Sequence, residues 1–357
     1  MAAAYRRDYG QSLFDALRSE CESLAKQSPK KVKFACRDAH HNHLKNGGET
    51  MYLGATTWTF SWAPPYDEAL KTIARLGFKG AELTIWSEEF LRDYYRPDTN
   101  KQLRSLIADL GLVLSSVFCI PAGIGSVEPE QRADAVEQFK RVLDAAQQLG
   151  TDKIIALPPN PFDIDIPVLL GKATSQEWSV EFPGGLDWNQ NWIDMVDVLR
   201  QFAEACEERE MRVALEPHPH RMMHNAAGML RIVDQIESKA IGLNLDPSHL
   251  FPMGELPNMV AYEVGDRIFH THLSDNDGQT NAHWRPGKGK VDWRAFLIAL
   301  KDIGYDGPLS LELEDVPGAA GYPGFHRSPE SSPEIERQHS LAKDYMTQLC
   351  DELGIEL

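Results

Sequence analysis

The sequence predicts an α/β protein of the (β/α)8 TIM-barrel class, with an N-terminal helical arm and a long insertion after the fourth strand. Three observations carry that expectation. From Met51 onward, eight short runs rich in β-branched residues alternate with longer stretches of 3.6-residue apolar periodicity, the pattern of βα units and a parallel sheet. Several helical stretches reach a glycine just before the next strand, at Gly77, Gly111, Gly150 and Gly304, where a left-handed cap ends a helix at little cost. No GxGxxG or GxxxxGKS/T turn follows the first strand, so the usual mark of an open nucleotide-binding sheet is missing and closure into a barrel is the simplest arrangement.

Residues 1–50 stand apart from the barrel, which is expected over 51–357. QSLFDALRSECESLAKQ reads as one amphipathic helix, and the polar, glycine-tipped stretch after it makes the segment an appended arm. His40, His41 and His43 in that arm suggest a metal cluster, although a short His-rich loop is ordinarily solvated surface. The strands then follow as YLGATTW (52–58), KGAELTI (79–85), LVLSSVF (112–118), DKIIALP (152–158), MRVALEP (211–217), AIGLNLD (240–246), RIFHTHL (267–273) and PLSLELE (308–314). Helices are expected between them in DEALKTIARLGF, NKQLRSLIADLG, EQRADAVEQFKRVLDAAQQLG, WIDMVDVLRQFAEACEEREM, AAGMLRIVDQIES, PNMVAYEVG and DWRAFLIALKDIGYDG, with a last one near EIERQHSLAKDYMTQLCDEL. The stretch 158–188 breaks the rhythm, and its length suits a lid or an oligomer contact better than a turn.

Composition narrows the partners. With 36 Lys and Arg against 53 Asp and Glu the formal charge is −17, which argues against a nucleic-acid or anionic-membrane surface. At 42% hydrophobic and 25% charged residues the chain has the make-up of a compact soluble protein. No apolar run approaches the length of a membrane span, and MAAAYRRDYG lacks the apolar stretch of a secretory leader, so the expected address is the cytoplasm. Cys21, Cys36, Cys119, Cys206 and Cys350 are odd in number and contain no CxxC pair, which predicts free thiols rather than a disulfide frame or a thiolate zinc site.

In a barrel the site assembles at the carboxyl ends of the strands, so those ends are read first. Four consecutive strands finish on metal-ligand types: Glu216 in ALEPHPH, Asp246 in NLDPSHL, His272 in HTHLSDND and Glu312 in LSLELED. Three carboxylates and an imidazole brought to one point repel unless a cation neutralises them. The oxygen-rich set suits one divalent ion, Mn2+ before Mg2+, Co2+ or Zn2+, acting as a Lewis acid on a substrate oxygen. Glu314 would face inward with Glu312 and rivals it for the metal position.

Around this set lie Glu82 on strand two, Thr57 and Trp58 on strand one, His218 and His220 after strand five, His249 after strand six and His270 inside strand seven. His218, two residues beyond Glu216, shares its side in an extended chain and is a candidate base. His249 lies three residues beyond Asp246, in reach of substrate or ligand, and His270 reads equally as core or as support for His272. His220 and Glu82 are further candidates for substrate contact. Trp58, Trp86 and Trp284 are available to stack on a sugar ring, while Arg285, Lys288 and Lys290 in HWRPGKGKVDW suit an anion or a closing loop.

These residues resemble the xylose-isomerase-like barrel superfamily of sugar isomerases and epimerases, which also contains endonuclease IV-type enzymes and ketose 3-epimerases. The resemblance covers roughly 51–315 and rests on LEP at Glu216, LDPSH at Asp246 and His249, HTHLSD at His272, PGKGKVDW, and GYDGPLSLELE ending in Glu312. In the ketose 3-epimerase branch it implies Mn2+ held by Glu216, Asp246, His272 and Glu312, the two glutamates as the acid/base pair, and His249 on substrate oxygens. An Arg usual shortly after the metal His is out of register, with Arg285 as its nearest stand-in. EPHPH is a second departure, because those epimerases lack the His two residues after the metal Glu. In that respect the barrel is similar to the metal-bearing subunit of C-glycoside deglycosidases, lyases that cleave a carbon–carbon glycosidic bond in a 3-oxo-glucoside with a His base beside the ion.

Two enzyme readings stay open. The first is an isomerase or epimerase of a free keto- or aldo-sugar, acting as a homo-oligomer through an enediolate. The second is a lyase on an oxidised glycoside, completed by a small β-sandwich partner chain. A sugar-binding barrel without metal is a third reading, and DNA repair is disfavoured by the charge of −17.

Overall fold

Eight parallel strands pair in chain order and close on themselves: β1 Tyr52–Thr56, β2 Gly80–Ile85, β3 Val113–Cys119, β4 Lys153–Ala156, β5 Arg212–Leu215, β6 Ile241–Leu245, β7 Ile268–Leu273 and β8 Pro308–Leu311. The computed structural model of the chain describes residues 50–164, 181, 183–316 and 333–357. The arm, with His40, His41 and His43, and much of the 158–188 insertion lie outside the described residues. Closure is made by β1 against β8, with Leu53 beside Leu309 and Ala55 beside Leu311.

The helices are α1 Asp67–Arg75, α2 Glu88–Asp93, α3 Pro97–Asp109, α4 Pro129–Leu149, α5 Trp188–Glu207, α6 Ala226–Ile236, the buried rim turn α7 Pro247–Leu250, α8 Pro257–Val264, α9 Trp293–Asp302 and α10 Pro333–Leu353. Each long one turns a single apolar stripe inward. On α4, Val136, Phe139, Val142, Leu143, Ala146 and Leu149 are buried, and Phe139 stacks on Phe202 of α5 with ring centres 3.9 Å apart. The four glycines expected to end helices all adopt positive φ, from 68° at Gly111 to 98° at Gly150.

The short helix α2 had no signal in the periodicity. It forms because the Ser87 side chain accepts from Phe90 N–H and caps its first turn. Strand β1 is also shorter than its apolar run, since Thr57 O accepts from the N–H groups of Phe60 and Ser61 and the chain turns there. Cys119, Cys206 and Cys350 are free and buried, and no helix among the described residues is long and apolar enough to cross a membrane.

The barrel lumen departs from the branched aliphatic filling usual for this architecture. Glu82, Ser116, Asn244, His270, His272 and Ser310 are all fully buried within it. A small apolar cluster, Trp58, Phe118, Ile155, Leu157, Ala214 and Phe269, packs separately from the main core.

Candidate active site

Local sequence explains how each ligand-type side chain is presented. Glu216 follows β5 directly, and the prolines at 217 and 219 disfavour helical turns in the residues before them, so the chain stays extended. Glu216 and His218 therefore share a side, with His218 Nε2 at 3.0 Å from Glu216 Oε2. Asp246 follows β6 and caps α7: its Oδ1 accepts from Ser248 N–H at 2.7 Å, Pro247 opens the turn, and one helical turn sets His249 back over Asp246. Glu312 follows β8, and its Oε1 accepts from the indole N–H of Trp58 at 2.9 Å.

These groups meet at one point. His272 Nδ1 lies 2.6 Å from Glu216 Oε1 and 3.2 Å from Glu312 Oε2. One ligand atom each from Glu216, Asp246, His272 and Glu312 lies within 4.8 Å of the others, and all four residues are buried. Asp246 Oδ2 and Glu312 Oε2 have no hydrogen-bond partner. Buried carboxylate oxygens left in this state are costly unless a cation meets them, so the residues present fit a divalent ion. Beneath them Glu82 Oε2 is 3.2 Å from His272 Nε2, and Ser116 donates to the same oxygen at 2.6 Å while Ser310 donates to Oε1. Glu82 thus takes the Nε2–H of His272 and turns Nδ1 toward the carboxylates, the support that metal-ligating histidines usually have.

The electrostatics express the crowding. Burial pushes Glu216 up to about 7 against the pull of His272, with Glu312 and Asp246 adding to the rise. Burial opposes charge on His272, but Glu312, Glu82 and Glu216 outweigh it and hold the imidazole well above its ordinary value. Burial would raise Glu82, yet His270 and His272 hold it at about 2. His218 is driven well below the usual imidazole range by burial and by the neighbouring His249. His283 moves the other way, to about 10: burial opposes its charge, but Asp246 and Glu312 prevail.

Above the cluster is a cavity of about 180 Å3. Its lining combines the polar Glu216, His218, His249, Glu312 and Glu314 with the apolar Trp62, Trp86, Phe118, Ile120 and Leu157. Trp62 and Trp86 stack at 4.4 Å and 15°. Glu314 lines the cavity while Glu312 joins the ligand cluster, which separates the two rivals for the metal position.

Four residues expected at the substrate stand elsewhere. Glu82 is sealed below the cluster and is a support for His272. Trp58 is fully buried because the turn at Thr57 tucks it under the site, where it packs edge-on to Trp86 and His272 and holds Glu312. His220 is exposed, with its backbone at φ 67°, and Arg285 donates to the carbonyl of Pro286 at 3.3 Å; neither lines the cavity. His270 is buried between Asn244 and Glu82 and supports the lumen.

Sequence reasoning missed Trp62, Asn244, Asn281 and His283. Asn244 donates to Glu216 Oε1 at 2.6 Å, and His283 Nε2 is 3.5 Å from Asp246 Oδ2. Their signal was faint: Asn244 shares the inward face of β6 with Asp246 by the period of two, whereas the other three sit in loops without periodicity.

A closed parallel barrel with a buried carboxylate–imidazole cluster at its carboxyl rim, under a mainly apolar cavity into which a few acidic and imidazole groups project, has the build of a small-molecule enzyme of the TIM-barrel type. The chain belongs to the xylose isomerase-like TIM barrel family, whose model matches residues 70–353. It is 26% identical over 263 residues to a D-psicose 3-epimerase of Enterocloster bolteae, covering 71% of this chain and 79% of that one. It is likewise 26% identical over 264 residues to a 3-dehydroshikimate dehydratase of Pseudomonas putida, covering 71% of this chain but only 37% of the relative. Among solved structures, the D-psicose 3-epimerase of Clostridium cellulolyticum H10 with D-tagatose shares the fold at a TM-score of 0.64 and 20% identity, covering 84% of this chain and 99% of that one.

Proposed function

We propose that this chain is a divalent-metal-dependent sugar isomerase or epimerase that removes and returns the proton next to a sugar carbonyl through an enediolate. The observation that carries the reading is the convergence of Glu216, Asp246, His272 and Glu312 at one buried point bordering the cavity. Those four would hold the ion, with Mn2+ favoured by the oxygen majority, and the ion would supply Lewis-acid polarisation of the carbonyl.

The chain's own residues do the rest. Glu216 and Glu312 both border the cavity, so one carboxylate takes the proton and the other returns it to the carbon. Glu82 and Asn244 keep His272 and Glu216 in place. His249 lines the cavity beside Glu216 and His218 and contacts a substrate hydroxyl. The aromatic side formed by Trp62, Trp86 and Phe118 excludes water and covers the apolar face of the ring. The kinship with a D-psicose 3-epimerase supports the substrate class.

One observation favours a second reading. His218 Nε2 stands 3.0 Å from Glu216 Oε2 on the cavity side, where it can act as the base instead of a glutamate. In that case the enolate expels an aglycone from a 3-oxo-C-glycoside, and a small β-sandwich chain completes the site. The first reading goes with a homo-oligomer and the second with a hetero-oligomer.

The test is incubation with ketohexoses in deuterated water and Mn2+, followed by NMR. Deuterium entering at the carbon next to the carbonyl, with a new epimer, is expected. No exchange with any free ketose, together with cleavage of a 3-oxo-glycoside once a partner chain is added, would replace the first reading by the second.

A further inference from the structure

We propose that the sugar turned over at this site is deoxygenated at the end away from its carbonyl, a 6-deoxyketohexose in preference to a ketohexose. The inference rests on the proposed function and sharpens its substrate class. It comes from where each lining residue enters the barrel. Trp62 lies in the loop after β1, Trp86 directly after β2, Phe118 within β3, Ile120 directly after β3 and Leu157 directly after β4. Glu216 and His218 follow β5, His249 follows β6, and Glu312 and Glu314 follow β8. Because the strands pair in chain order, one half of the rim brings carbon and the other brings the proton-transfer groups.

The carbon half is continuous. Phe118 and Leu157 belong to the small apolar cluster beside the main core, and Trp62, Trp86 and Ile120 pack against it. Phe118 and Leu157 are no more than 4% exposed, while the other three keep part of their surface open. The indole N–H of Trp86 donates to the carbonyl of Trp62 at 3.1 Å, so this wall meets a ligand with the ring carbons of Trp86 and not with its donor.

A ketose whose carbonyl lies against Glu216 and Glu312 extends its far carbons across the rim toward β1–β4. A hydroxyl there gives up water and meets carbon, which costs it the hydrogen bonds it had in solvent. A methyl group in its place is stabilised by the same burial. At about 180 Å3 the cavity lies below the range of drug-sized ligands, which suits a monosaccharide better than a sugar bearing an aryl group.

Matched pairs test this on the full-length enzyme with Mn2+: 6-deoxy-D-fructose against D-fructose, and 6-deoxy-L-tagatose against L-tagatose. NMR of deuterium entry next to the carbonyl gives kcat/KM for each. The deoxy member of a pair that turns over is expected to lead by about 10- to 100-fold, the discrimination a carbon-lined pocket makes against one added hydroxyl. Ile120→Val and Ile120→Thr give side chains of nearly equal shape that differ by a hydroxyl. The valine variant is expected to keep the preference and the threonine variant to narrow it by about three- to tenfold, the worth of one hydrogen bond. Circular dichroism verifies that both are folded. Equal kcat/KM within each pair, or a lead for the hydroxylated member, would overturn the inference and leave the proposed function standing; so would a threonine variant with the parent's preference. Failure to exchange any of the four sugars, or any other free ketose, would remove the proposed function and this inference with it.

Discussion

At Glu82 one carboxylate decides which nitrogen of His272 faces the cluster, and it does so from outside the cavity. Glu82→Gln keeps the shape but weakens the acceptor, and metal affinity is expected to fall by about 10- to 100-fold, as for other outer partners of metal-bound histidines. Equilibrium dialysis reads this directly. Glu216→Gln and Glu312→Gln should lose both the ion and turnover. His218→Ala should keep the ion; a loss of about 100-fold or more in kcat identifies the imidazole as the base, and parental activity removes the main support of the lyase reading. The convergence of Glu216, Asp246, His272 and Glu312 was legible because each sits at or just past the carboxyl end of a strand, where the fold itself dictates convergence. The substrate wall was not: Trp58 and Trp62 are four residues apart in one loop, and only the turn at Thr57 decides that the first is buried and the second meets the cavity.

The loop after β7 is built around Asp275. Its Oδ2 accepts from the N–H groups of Gly287 and Gly289 and from the indole of Trp293, its Oδ1 accepts from Val291 N–H, and its backbone bridges Trp284. That knot sets His283 beside Asp246. A Cβ on Gly289 would collide with the carbonyl oxygen of Asn276. Gly289→Ala is therefore expected to cost about 1–3 kcal/mol by urea unfolding and to weaken metal binding through the displaced loop. On α10, His339 is fully buried against Phe60, with Nδ1 bonded to the carbonyl of Ile335 and Nε2 without a partner. Burial lowers it from 6.5 to about 4. The unfolded chain binds that proton first, so stability is full above about pH 6.5 and falls by up to about 3 kcal/mol as the pH drops toward 4. His339→Phe keeps the ring packing and should flatten that part of the pH profile of unfolding; an unchanged profile would place the acid sensitivity elsewhere. All eight strands and every long helix were readable because their periodicity runs over enough residues. The six-residue α2 was not, because its existence depends on a single serine cap.

At the scale of the molecule, β5 to β8 each bring one member of the buried carboxylate–imidazole cluster to the carboxyl rim, so the cluster exists only in the closed barrel. With β8 paired to β1, Glu312 shares one space with Glu216 and Asp246, all within 5% exposure. Folding without an ion must therefore confine three carboxylates and keep a proton on His272, and an ion bound only by the closed barrel stabilises it by mass action. At a hundredfold excess over Kd the gain is about 2.7 kcal/mol. For a chain of this size that corresponds to a rise in Tm of roughly 5 °C with Mn2+ over chelator. Asp246→Asn isolates the cause, since asparagine caps α7 as well as aspartate does but supplies no charge to the ion. Its Tm in chelator should equal or exceed that of the parent, because one repelling carboxylate is gone, while the response to Mn2+ disappears. An equal Mn2+ response in the variant would mean that the ion binds elsewhere on the acidic surface and that the rim cluster is not its site.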